Sequence, residues 1–163
     1  SILSYPARET LWALLKILRD RGVCICFDGN FRAAGWESLR LAQNAFNSTL
    51  VHTDIALPTF DDEAKVFGDK TPEVTASRLH ETGVGEVVVK RGAEGCYVSH
   101  GAITQTVSTR AQPSVVDTTA AGDAFNAAYL AARIQGLGPI EAAHEGHALA
   151  GKVILHRGAI VPA

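Results

Sequence analysis

The 163 residues, 47% hydrophobic and 20% charged, suffice for one domain with a real core and exclude intrinsic disorder. A net charge of −2 and a pI near 6.3 give no basic footprint for nucleic acid. Nothing approaches the roughly 18 consecutive apolar residues of a membrane span, and Ser1–Tyr5 is no signal peptide. Cys24, Cys26 and Cys96 are odd in number and lack zinc-type spacing, so they read as small buried hydrophobes of a reduced, cytoplasmic protein.

In chain order, the first predicted element is a helix over 6–21. Its apolar stripe is Leu11, Leu14, Leu15 and Leu18, and Gly22 is the stop. Val23 to Phe27 form a continuous apolar run, the pattern of a strand buried on both faces. It ends in the polar cluster Asp28-Gly29-Asn30-Phe31-Arg32. A helix near 37–46, a short strand near 53–57 and helices near 61–67 and 72–82 follow. Thr71 is placed as N-cap of the last, with Pro72 at its first position. Glu86 to Lys90 read as another buried strand, broken by Arg91-Gly92. The segments 96–99 and 103–107 read as a hairpin about His100-Gly101. The Ala-rich stretch 121–156 is helical, with a break at Gly136-Leu137-Gly138-Pro139. This alternation implies an α/β fold in which a mostly parallel sheet lies between helices, the hairpin being an antiparallel addition. No repeat or linker divides residues 1–163, so they read as a single unit. The chain opens on a helix with no preceding strand, which leads to the expectation that strands N-terminal to Ser1 belong to the native protein.

The densest chemistry lies in Asp117-Thr118-Thr119-Ala120-Ala121-Gly122-Asp123-Ala124-Phe125-Asn126. The small side chains of Ala120, Ala121 and Gly122 leave the first amides of a long helix open to a phosphate or a developing oxyanion. A carboxylate at Asp123 could take a proton from an attacking hydroxyl. The plainer reading is Thr118 or Thr119 as an N-cap with Asp123 a dipole-favoured acid. Arg32 is either a surface arginine or a planar fork for an anion, carboxylate or phosphate alike. Gly92 and Gly95 suit a turn. Lys90 is as readily a solvated strand-end charge as a phosphate contact. His144 and His147, spaced i and i+3, lack the i and i+4 spacing of the zinc-protease helix and read as helix surface. No Gly-x4-Gly-Lys-Ser/Thr loop is present, so a P-loop kinase is unsupported.

The segment 117–123 resembles the Asp-Thr-x-Gly-Ala-Gly-Asp signature of ribokinase-like (PfkB) sugar kinases. Three further segments carry the resemblance in order. Asp28-Gly29-Asn30-Phe31-Arg32, with Trp36, is similar to the Asp-x-Asn-x-Arg…Trp segment of the branch acting on 2-keto-3-deoxygluconate. Lys90 to Gly95 resemble the nucleotide-binding Lys-x-Gly-x-x-Gly turn. Arg157-Gly158-Ala159-Ile160-Val161-Pro162 are similar to the family's closing Gly-Ala strand.

The resemblance implies a three-layer αβα kinase that moves a phosphoryl group from ATP to the terminal hydroxyl of a sugar acid. It also implies Mg2+ carried on the nucleotide with no dedicated protein metal ligands, and a monovalent cation such as K+. In the same reading Asp123 is the base, and Ala120, Ala121 and Gly122 line the anion hole. Arg32, Asn30 and Asp123 meet the substrate. Asn30, Arg32, Lys90, Gly92, Ala93, Gly95, Gly122, Gly158 and Ala159 meet the nucleotide. Two alternatives stand beside it: a related kinase of a neutral sugar, and a non-catalytic nucleotide-binding fragment or paralogue.

There are departures from the family pattern. Ala120 stands for the signature's first glycine, which costs little provided no positive φ is required. Thr59 and Asp62 stand for the Asn and Glu of the family's Asn-x-x-Glu motif, which weakens a metal role there. Gly29 replaces a bulkier residue, which suggests a looser turn. The family's N-terminal Gly-Gly sugar segment and lid strands have no counterpart. The chain is therefore expected to be the C-terminal half of an enzyme that forms a homodimer at full length, and to have little activity alone.

Overall fold

A computed structural model of the chain describes residues 4–110, 112 and 114–159. It resolves into two compact units that divide after Val89, at the last residue of a strand. Among the described residues no helix is long and apolar enough to cross a membrane.

The first unit contains helix α1 (Tyr5–Asp20), strand β1 (Cys26–Phe27), helix α2 (Leu39–Leu50), strand β2 (Ile55–Ala56), helices α3 (Phe60–Phe67) and α4 (Pro72–Glu81), and most of strand β3 (Glu86–Lys90). β1, β2 and β3 run parallel, with Cys26 opposite Ile55 and Ile55 opposite Glu86. The predicted caps form as expected. Thr71 Oγ1 accepts from the Val74 amide at 3.3 Å with Pro72 beside it, and Gly22 leaves α1 with a φ of 73°. In α1 the buried side is Leu15 with half-buried Leu11 and Leu18. Leu14 is about half exposed, so the stripe is narrower than its leucines suggest. Trp12 Nε1 donates to Thr49 Oγ1 at 3.1 Å and ties α1 to α2.

Val87, Val88 and Val89 are fully buried, as a two-faced strand requires. β1 departs from that expectation. It holds two residues, pairs among the described residues only with β2, and leaves Cys24 and Cys26 exposed. A strand partnered on one side leaves its other flank to solvent. Of the three thiols only Cys96 is buried. Partial desolvation and then the neighbouring Cys24 push the Cys26 thiol up to about 12, and burial pushes Cys96 to about 12. Neither supplies thiolate at neutral pH.

The core beneath the Asp28–Arg32 turn is aromatic. Phe46 sits at its centre, with Phe27 and Trp36 at 5.7 Å, Phe31 at 6.4 Å and Phe67 at 6.5 Å between ring centroids. Edge-on pairs of this kind contribute about 0.5–1.5 kcal/mol each beyond their buried area. Beside it, Arg78 bridges Glu63 at 2.6 Å and Asp69 at 2.8 Å, and its guanidinium lies 3.8 Å from the Phe67 ring centre.

The second unit contains Lys90, the antiparallel hairpin β4 (Cys96–His100) and β5 (Ile103–Val107), and helices α5 (Ala121–Ile134) and α6 (Pro139–Val153). The predicted break at 136–139 separates α5 from α6. The two helices pack along each other, and α6 packs on both hairpin strands. Their approach is close at Gly146, where an added Cβ would lie 2.7 Å from the Phe125 ring. His147, expected on the helix surface, instead turns inward. Its Nε2 donates to the Val107 carbonyl at 3.2 Å and its ring meets Phe125 edge-on at 5.0 Å, while His144 stays exposed.

Candidate active site

In the second unit the site is built around the first turn of α5. The residue that enters the helix is Ala120, in the left-handed region at φ 61° and ψ 9°, and its side chain caps nothing. Neither threonine is the N-cap, which corrects that part of the plainer reading, while Asp123 stands in the first turn as its dipole-favoured acid. The proviso attached to Ala120 also fails: a positive φ is required, and an alanine there costs on the order of 1–2 kcal/mol. The Ala121 amide is not open as expected, because it donates to the Thr118 carbonyl at 3.1 Å. The amides of Gly122 and Asp123 lie in the first helical turn, where no intrahelical acceptor exists. Asp123 is exposed at this positive helix end.

The loop into that turn is held by Asp117. Its Oδ1 accepts from the Thr119 amide at 2.8 Å and its Oδ2 from the Gly158 amide at 2.9 Å. The hydrogen bond from Gly158, then those from Thr119, hold the Asp117 carboxyl down at about 2. The amides of Val116 and Asp117 both donate to the Ile154 carbonyl, so the entry to α5 is fastened to the end of α6. Gly158 acts here through its backbone at a φ of 79°, and Ala159 beside it is exposed. Residues 160–162 of the closing Gly-Ala segment lie outside the described residues.

Lys90 was open between a solvated charge and a phosphate contact, and solvation is excluded. It is 7% exposed, its Nζ donates to Asn126 Oδ1 at 3.0 Å, and an added Cβ at Gly122 would sit 3.5 Å from that Nζ. The sequence placed Asn126 in the same dense stretch but gave it no role. The signal was its place one turn beyond Asp123, on the side of α5 that faces the end of β3.

The turn 92–95 divides into two kinds of glycine. Gly92 and Ala93 are exposed, and a Cβ at Gly92 would meet open space. Gly95 is buried at a φ of 90°, and its Cβ would fall 2.1 Å from the Val107 carbonyl oxygen. Both its backbone and its packing against the hairpin demand a glycine at 95.

In the first unit Asn30 and Arg32 sit on the turn after β1, both exposed. Asn30 has a φ of 39°, and its amide donates to Asp28 Oδ1 at 3.1 Å. Arg32 Nη1 donates to the neighbouring Phe31 carbonyl at 3.0 Å. The turn is not loosened by Gly29: a Cβ there would lie 2.8 Å from Phe46, so the ring fills the space a larger residue would need. Asp62 joins this turn from α3. Its carboxylate accepts from the Phe31 amide and lies near Arg32. Burial pushes Asp62 above the ordinary carboxylate range, against the opposing charges of Lys65 and Arg32. Asp62 thus braces the turn that carries Arg32, a role the altered motif did not suggest. Among the described residues no group of three or more His, Cys, Asp or Glu side chains could hold a metal ion.

The chain is 43% identical over 165 residues to the 2-dehydro-3-deoxygluconokinase of Escherichia coli K12, spanning 99% of this chain and 53% of that protein. It is 41% identical over 165 residues to the enzyme of the same name from Dickeya dadantii, again spanning 99% of this chain and 53% of that protein. The chain thus spans about half the length of the curated relatives it matches. Its backbone superposes on a putative ribokinase II from E. coli, solved with ATP and Mg2+, with a TM-score of 0.85. That match has 27% identity and covers 98% of this chain and 51% of that one. The fold is therefore ribokinase-like. The family pattern described as pfkB family carbohydrate kinase extends over residues 1–163, and the chain belongs to that family.

Proposed function

We propose that the native protein phosphorylates 2-dehydro-3-deoxygluconate, or a closely similar sugar acid, at a primary hydroxyl with ATP as donor. The observation that carries this reading is the first turn of α5, where an exposed carboxylate, first-turn amides and a buried ammonium share one helix end. The step needs a proton acceptor for the hydroxyl and positive potential for the phosphoryl group. Asp123 takes the hydroxyl proton as the oxygen forms its bond to the γ-phosphorus and the bond to the β–γ bridging oxygen breaks, releasing ADP. The amides of Gly122 and Asp123 hold the charge that gathers on the transferred group. A divalent cation bound to the phosphates neutralises part of their charge when present.

Arg32 supports a sugar acid as acceptor. A planar guanidinium matches a carboxylate in bidentate fashion, and a neutral sugar offers it no such partner. Two relatives matched across 99% of the chain bear the name 2-dehydro-3-deoxygluconokinase. Cytoplasmic location, homodimer formation and a monovalent cation beside the site belong to the same reading.

The test is an ADP-release assay on the native protein. Turnover with 2-dehydro-3-deoxygluconate and none with ribose or fructose is expected; the reverse preference would sink the substrate assignment. Asp123→Asn should lower kcat by about 10²–10⁴-fold. Arg32→Ala should raise KM for the sugar acid by about 10–100-fold, the loss of a charge-assisted pair, and leave KM for ATP nearly unchanged.

A further inference from the structure

The outer flank of β5 carries chemistry that the kinase reading leaves unused. Among the described residues β5 pairs with β4 alone, with Val107 opposite Cys96 and Ile103 opposite His100. Gly101 and Ala102 form a two-residue loop, which makes His100 and Ile103 a hydrogen-bonded pair. Antiparallel pairs alternate, so Ile103, Gln105 and Val107 direct their backbone groups to β4. Thr104 and Thr106 turn their N–H and C=O groups outward, and among the described residues no backbone bond reaches them from elsewhere. Thr104, Gln105 and Thr106 are exposed and Ile103 is 40% exposed, whereas Val107 is buried.

Sheet edges are normally protected by a lysine, a proline or a bulge. Ile103 to Val107 hold no charge and no proline, and their register is unbroken. The five residues also read nearly alike in both directions. A β-branched apolar residue stands at each end, a threonine inside it, and Gln105 at the centre. An antiparallel strand of the same sequence therefore complements this one. About a twofold axis through Gln105, that residue meets its own copy, Thr104 meets Thr106 and Ile103 meets Val107. Each outward donor then finds an outward acceptor, and the exposed Ile103 gains an apolar neighbour.

We propose that β5 is a dimerisation edge, along which two copies of the protein join their hairpins about a twofold axis through Gln105. The pairing is isologous and closes at two copies, because both use the same strand. The match of threonine to threonine and of apolar end to apolar end favours a second copy over a foreign strand. The proposal gives the homodimer of the kinase reading a surface, and it is independent of the roles of Asp123 and Arg32. One strand pair buries little area, so the association is weak, with a dissociation constant in the micromolar range.

Sedimentation velocity of the native protein between about 1 and 200 µM should show a monomer–dimer equilibrium in that range. Thr106→Pro removes an outward N–H and leaves the bonds to β4 in place. It should weaken dimerisation about 25-fold, from one bond lost on each side of the axis at about 5-fold each. Gln105→Lys and Gln105→Glu, at an exposed position, each set like charges face to face across the axis. Each alone should weaken dimerisation about 5-fold, and an equimolar mixture of the two should return to within about 2-fold of the parent. A local structural role could not give that rescue, since each variant would keep its own defect.

Unchanged dimerisation in the two glutamine variants, or no rescue on mixing them, overturns the proposal. Should Thr106→Pro fail to fold, the glutamine variants carry the test alone. A native protein that stays monomeric across the range removes both this surface and the homodimer. Turnover is judged separately by the ADP-release assay, so the catalytic assignment stands or falls on other results.

Discussion

Three small residues near the two candidate site segments carry opposite lessons about space and backbone. Ala120 has room but the wrong backbone, with a φ of 61° that glycine adopts freely. Ala120→Gly removes the Cβ strain and adds unfolded-state freedom. The net gain should be about 0.5–1 kcal/mol, read as a rise in Tm of roughly 2–4 °C. Gly95 has the wrong backbone for any other residue and no room either, its Cβ falling 2.1 Å from the Val107 oxygen. Gly95→Ala should cost about 3 kcal/mol or more in urea unfolding, whereas Gly92→Ala, facing open space at a φ of 56°, should cost only about 1 kcal/mol. Gly29 has no room but an unexceptional backbone. Sequence could identify 120 and 95 as small positions because their motifs demand small side chains, whereas Gly29 departs from its motif. It could not tell strain from crowding, since both depend on which ring or carbonyl packs opposite.

At the scale of elements, α5 and α6 are joined to the hairpin by one titratable contact. His147 donates to the Val107 carbonyl, and burial, with His144 adding to it, holds its pKa below 6.5. The exposed His144 is on the same helix, and Phe125 of α5 and the Val107 carbonyl face His147 from the neighbouring elements. The folded chain therefore binds fewer protons at His147 than the unfolded chain in the window just below pH 6.5. Stability is fully present above that pH and falls as the pH drops through it. The urea midpoint should decline between about pH 6.5 and 5 in the native chain. His147→Gln, which keeps a donor without the charge, should flatten that slope. Asp117 has the opposite character in a more acid window. Its carboxyl is held down at about 2, so its bonds to Thr119 and Gly158 persist well below pH 4 and are lost only as the pH falls towards 2. The alternation of helices and strands was legible, down to the cap at Thr71 and the break before Pro139, because period and capping are local properties. The inward turn of His147 was not, because i and i+3 spacing fixes a helix face and says nothing of what lies against it.

For the whole molecule, the motifs were legible as an ordered set, and the match across residues 1–163 agrees with them. What sequence could not supply was the partnership of Lys90 with Asn126, thirty-six residues apart, or the bracing of the Phe31 amide by Asp62. Such pairs are made by topology. The chain spans about half the length of its curated relatives, and phosphoryl transfer depends on holding both reactants in register. The isolated 163-residue chain should therefore release little or no ADP in the presence of the sugar acid. A coupled assay showing sugar-dependent turnover by the chain alone would refute this.

The bond between Asp117 and Gly158 spans 41 residues, which has a consequence for how the protein is made. On a ribosome the loop that opens α5 emerges well before the glycine that fastens it. At roughly 5–20 residues per second the delay is about 2–8 s. Throughout that interval α5 and α6 can form, while the carboxylate that orders the turn before α5 still lacks one of its two amides. The last step in building this region is thus the arrival of a single backbone N–H from downstream, and a nascent chain halted before residue 158 would carry the signature motif without its finished shape.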